Sequence, residues 1–166
     1  MSRGFVKEDD QEEAPFIPPR AALPEGVPNY VTRRGLQLLQ EERSALEAER
    51  ATVVGSEDER RRAHAVIDGR LALLNERIVT ARLVEPAADT EEVRFGSTVT
   101  FTHEAGRMKG TTLTFTIVGV DEADVKQGRI AFTAPLARAL MGRHTGEVAT
   151  LQLGAEQQRL RVDRIG

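Results

Sequence analysis

Ile67, Leu71, Leu74, Ile78 and Ala81 follow one another at spacings of 4, 3, 4 and 3. That is a heptad-like apolar seam, and a helix carrying such a seam needs a second one to bury it. Upstream, Leu36, Leu39, Arg43 and Leu46 repeat at spacings of 3, 4 and 3. The two runs predict an antiparallel helical hairpin over residues 32–84, each buried Leu or Ile stabilising the pairing by about 1.5–3 kcal/mol. Thr32 is placed to cap the first helix and Ser56 the second, while Gly55 allows the turn at the tip. With about 20–25 residues per arm, the hairpin reaches roughly 30–37 Å. Pro86 is expected to end the second helix, and residues 85–92 read as a linker.

Past residue 93 the apolar period changes from about 3.6 to about 2. Val99 and Phe101 alternate with Thr98, Thr100 and Thr102, and Leu113, Phe115 and Ile117 alternate with Thr114 and Thr116. Gly106 and Gly110 between these runs suggest a β-hairpin. Ile130–Phe132, Val148–Leu153 and Leu160–Ile165 read as further strands. Pro135 suits the first turn of a short helix, Leu136–Met141, closed by Gly142. Residues 93–166 are thus expected to form a small antiparallel β domain with one short helix, and the whole chain is α+β. Residues 1–31 differ from both regions. They are acidic and carry five prolines between Pro15 and Pro28, so neither helix nor strand is expected. Such an arm is either a solvated tail or a segment packing through Phe5, Val6, Phe16 and Ile17.

Composition excludes several functions. The chain has no cysteine, which rules out disulfides and thiolate metal sites. Its net charge of −3 argues against a protein that grips duplex DNA by its phosphates. No apolar run approaches a bilayer span and no apolar leader is present, so a cytoplasmic protein without membrane contact is expected. His64, His103 and His144 share no metal-ligand spacing, and no phosphate loop, dinucleotide fingerprint or nucleophile elbow occurs. One cluster is chemically suggestive. Glu57, Asp58 and Glu59 sit at the far end of the stalk, where three carboxylates could hold a hard cation such as Mg²⁺. Acidic residues in a first helical turn also simply complement the helix dipole.

Several motifs of the C-terminal region resemble the GreA/GreB transcription elongation factors. They are Phe95-Gly96-Ser97-Thr98-Val99, Ile117-Val118-Gly119-Val120-Asp121-Glu122-Ala123-Asp124, Ala134-Pro135-Leu136-Ala137-Arg138-Ala139-Leu140-Met141-Gly142 and Gly146-Glu147-Val148. Asn29-Tyr30-Val31-Thr32, with Gly35-Leu36, is similar to the family's lead into its first helix. The opening Ser2–Glu8 looks like the start of a divergent branch. The resemblance implies an FKBP-like C-terminal domain. That domain would dock on the β′ subunit of bacterial RNA polymerase, at the rim of the secondary channel, through Asp121, Glu122, Thr133, Ala134, Pro135 and Leu136. The hairpin would point toward the active centre, where Glu57, Asp58 and Glu59 would help hold a Mg²⁺ shared with the polymerase. The factor would be a monomer with no catalysis of its own and only indirect contact with nascent RNA.

The tip departs from the family pattern: Ser56 stands where an Asp would sit, and Arg60, Arg61 and Arg62 replace an Asn-Ala-Glu-Tyr run. Thr133 also replaces an Asp of better-known members, and the first arm is shorter. A channel-occupying regulator resembling Rnk, without cleavage stimulation, is therefore the alternative reading. A peptidyl-prolyl isomerase is a remote one, as is a coiled-coil interaction module. The acidic arm could also cover Arg60–Arg62 by charge complementarity.

Overall fold

The computed structural model describes residues 13–166. The expectations for Phe5, Val6 and the acidic run before Glu13 lie outside the described residues. Element order is β1 (Asn29–Val31), α1 (Arg33–Ala51), α2 (Glu57–Thr80), β2 (Ala81–Leu83), β3 (Thr98–His103), β4 (Thr112–Val118), β5 (Arg129–Ala131), α3 (Pro135–Leu140), β6 (Val148–Leu153) and β7 (Glu156–Ile165). A 3₁₀ turn, Val125–Gln127, precedes β5.

The helical hairpin closes on its seam. Leu39, Leu46, Ile67 and Leu74 are buried between α1 and α2, and Leu36, Leu71 and Ile78 pack half-buried beside them. Thr32 caps α1, its hydroxyl accepting from the Gly35 N–H. Ser56 and Glu59 close α2 with a reciprocal capping box. With 19 residues, α1 rises about 28 Å.

The root of the hairpin differs from the sequence expectation. Residues 29–31, placed in an arm without strand, form β1. Residues 81–83, placed at the end of the second helix, form β2. The two strands pair in parallel, Tyr30 opposite Arg82, and Val84 N–H extends the ladder to Val31 O. Helix α2 stops at Thr80, before Pro86, where Ala81 turns extended to pair with β1, and Asn29 Nδ2 donates to the Arg77 carbonyl at 2.9 Å. That bond satisfies one of the carbonyls orphaned at the helix end.

The C-terminal sheet runs in the order β5-β4-β3-β7-β6. All its pairings are antiparallel except β4 with β5. Alternation along β3 buries Val99, Phe101 and His103 and turns the threonines outward. On that outer face Thr98, Thr100 and Thr102 pair hydroxyl to hydroxyl with Thr116, Thr114 and Thr112, at 2.8–2.9 Å. The core between the sheet and α3 is built on Ile117, Ala137, Leu140, Leu160 and Val162, with Phe95, Phe101 and Phe132 among them. Tyr30 from β1 joins it, its ring 5.9 Å from Phe95 and 5.5 Å from Phe132. Among the described residues no helix is long and apolar enough to cross a membrane.

Candidate functional site

The residues singled out in the sequence fall into three places: the hairpin tip, the start of α3, and the joint between hairpin and sheet. At the tip, Glu59 turns back on its own helix. Its carboxylate accepts from the Ser56 N–H at 2.7 Å while its own N–H donates to the Ser56 hydroxyl. These bonds, the backbone one first, hold the Glu59 carboxyl below its usual value. Asp58 forms an ion pair with Arg61 at 3.1 Å. Glu57 is exposed at the first helical position. The three carboxylates therefore do not converge. Among the described residues no group of three or more acidic or histidine side chains is arranged to hold a metal. As folded, the tip does not fit a self-contained Mg²⁺ site. Val54, beside the turn, is 86% exposed.

At the start of α3, Ala134 occupies the cap position without a side-chain bond, and Pro135 follows at the first turn. Pro135 is exposed, Thr133 is half-buried, and Leu136 packs toward the core. Phe132, Thr133, Arg138 and Met141 share a shallow depression with Pro24 and Val27 of the arm.

The joint holds the other two residues of the expected docking set, and here the structure gives them an internal role. Glu122 is buried over the N-terminus of α1. It accepts from the Thr32 hydroxyl at 2.5 Å and pairs with Arg34 at 3.2 Å. No acidic residue lies in the first turn of α1, so Glu122 supplies, from the sheet domain, the negative charge that this helix end favours. A Cβ on Gly35 would come within 2.8 Å of the Glu122 carboxylate, which explains a glycine in the first turn. Asp121 accepts from Arg20 Nε at 2.9 Å and from Arg77 Nη1 at 3.4 Å. Gly119 lies against the backbone of β1, where a Cβ would stand 2.6 Å from Tyr30 O. Asp124 accepts from the Lys126 N–H and so caps the 3₁₀ turn. The run from Gly119 to Asp124 is thus the socket of the hairpin. Asp121 and Glu122 lie inside it, apart from the surface loop at Thr133–Leu136.

Sequence reasoning missed Arg20, Gly69 and Arg77, and placed Asn29 in a motif without its bond to the end of α2. Only Gly69 carried a signal, since a glycine inside a helical seam costs about 1 kcal/mol against alanine and marks a close approach. The histidines are dispersed. His64 contacts the Arg50 carbonyl, His144 pairs with Glu147, and His103 is buried with neither ring nitrogen bonded.

Comparison with known proteins gives relatives by sequence. The family model for the C-terminal domain of GreA/GreB transcription elongation factors matches residues 88–166. The transcription elongation factor GreA of Ralstonia nicotianae is 31% identical over 139 residues, covering 73% of this chain and 86% of that protein. GreA of Alkalilimnicola ehrlichii is 36% identical over 101 residues, covering 59% of this chain but only 62% of its own length. Among solved structures, the GreA factor homolog 1 protein of Thermus thermophilus is 19% identical, covering 82% of this chain and 97% of that one with a TM-score of 0.39. By the extent and identity of the Ralstonia alignment, the chain belongs to the GreA/GreB transcription elongation factor family.

Proposed function

We propose that this chain is a regulator of bacterial RNA polymerase that occupies the secondary channel without supplying ligands for transcript cleavage. The observation that carries this reading is the tip. Ser56 stands where the family pattern has an Asp, Glu59 is held in the capping box, and Asp58 is paired with Arg61. A stalk can fill a channel by shape alone, whereas two-metal cleavage needs free carboxylates beside the second ion. In this reading the start of α3, with half-buried Thr133 and exposed Pro135, docks on the β′ rim, and the hairpin points inward. Asp121 and Glu122 act by holding the hairpin. The factor modulates the polymerase and has no reaction of its own. The prolyl isomerase alternative has nothing in its favour, because Tyr30 packs against the aromatic cluster that would have to line such a pocket.

The reading is tested by a cross-linker at the tip. Val54→Cys in this otherwise cysteine-free chain, mixed with core polymerase, is expected to cross-link to residues lining the secondary channel. Cross-links confined to the outer surface of the polymerase, or no stable complex at all, would overturn it.

A further inference from the structure

The arm before β1 is held along the stalk at several points. Ile17 lies over α2 at Gly69, where a Cβ would come within 2.8 Å of Ile17 Cγ1 and closer still to its Cδ1. The missing side chain makes a notch, and Ile17 fills it. Three residues on, the Arg20 guanidinium makes a two-pronged contact with Glu42 of α1, at 2.9 and 3.0 Å, and donates through Nε to Asp121 of the sheet domain. Arg77, near the end of α2, reaches both Asp121 and the backbone carbonyl of Ala21. Farther out, Glu13, Ala14 and Pro15 share a depression with Arg61 and Arg62 near the tip. The side chains of Arg20, Arg77 and Asp121 are mostly buried, at 18%, 14% and 8% exposure, so this network is screened far less than a surface ion pair.

The positions of these contacts matter more than their number. The socket grips the hairpin at its root, through Glu122 at the start of α1 and Asp121 at the end of α2. These contacts, with Tyr30 in the sheet core and Gly119 against β1, all lie at one end of the stalk, where a hinge would act. Glu42 lies about nine residues beyond the root, roughly 13 Å up α1. A group bonded at once to that point and to the sheet domain removes the hinge.

We propose that residues 17–28 form a splint that fixes the angle between stalk and domain, with Arg20 as the positioning residue that ties Glu42 to Asp121. The value of a fixed angle for entering a channel rests on the function proposed above, but the angle itself is measurable on the isolated protein. Val54→Cys at the tip and Gln157→Cys on β7 are both exposed sites for spin labels. Their distance distribution is then read by double electron–electron resonance on the full chain. One narrow distribution is expected for the wild-type background. Arg20→Met, Glu42→Gln and Gly69→Ala should each broaden it roughly twofold, as expected when a hinge is released, with helical dichroism unchanged. Glu42 is 37% exposed, so its variant leaves the core intact and serves as the decisive one. A wild-type width in Glu42→Gln would show the arm to be a passenger and overturn the proposal. It would leave polymerase binding untouched.

Discussion

Replacing Glu122 by Gln removes one negative charge from the N-terminus of α1 while keeping the side chain's shape. The Glu122 side chain is 4% exposed, so bulk water does not restore what is lost. A hydrogen bond to a charged group contributes about 1.5–3 kcal/mol against about 0.5–1.5 for a neutral one, so the Thr32 contact alone loses roughly 1 kcal/mol. Complementing the helix end adds about 0.3–1 kcal/mol. The pair with Arg34 adds little, because Arg34 is 52% exposed. Against these stands the desolvation cost that a buried carboxylate carries and a buried amide does not. The amide, however, must turn its N–H₂ either toward the Arg34 guanidinium, which only donates, or toward the Thr32 hydroxyl, which then accepts from it as well as from the Gly35 N–H and loses the acceptor for its own proton. That mismatch favours the native charge, and a net loss of about 1–2 kcal/mol follows. Urea unfolding followed by helical dichroism reads it as a lower midpoint, with Arg34→Met as a control expected within about 0.5 kcal/mol of wild type. A midpoint for Glu122→Gln indistinguishable from wild type would refute the reasoning, showing that desolvation cancels the bonds.

Three further outcomes are expected. Gly119→Ala pushes a Cβ onto the Tyr30 carbonyl and should cost about 1–3 kcal/mol in the same unfolding assay. His103→Leu removes two unbonded ring nitrogens from a buried site beside Phe101 and should raise the melting temperature, by about 1 kcal/mol of added stability. Glu59 has a lowered carboxyl value in the folded state, so its capping contribution is present above the ordinary glutamate range. That contribution is lost as pH falls through the lowered value. Backbone chemical shifts of Ser56 and Glu59 should then report fraying of α2, and a Ser56→Ala variant should fray already at neutral pH.

Much of this architecture is legible in the residues because it is periodic. The seam from Ile67 to Ile78, the caps at Thr32 and Ser56, and the alternation in β3 and β4 each repeat a local rule over enough positions to stand out. What was not legible is what depends on a partner far along the chain. β1 and β2 have three residues each and pair across the whole hairpin, so neither carries a pattern of its own. The proline-rich composition of residues 13–28 describes a solvated arm. Ile17, offered by the sequence as a packing residue, and Arg20, which carried no signal of its own, help to hold it to the stalk. Asp121 and Glu122 were legible as family residues. Motif similarity says that they recur, without saying that they face Arg20, Arg77 and Thr32 rather than a partner.

The most direct test of the account is transcript cleavage in a reconstituted, backtracked elongation complex, with binding to the polymerase measured alongside. This protein is expected to bind with no gain in cleavage, and replacing Glu57, Asp58 and Glu59 by Ala should change neither. Cleavage that rises on adding the protein and falls when those carboxylates are removed, at unchanged binding, would contradict it and make the tip a working donor of metal ligands.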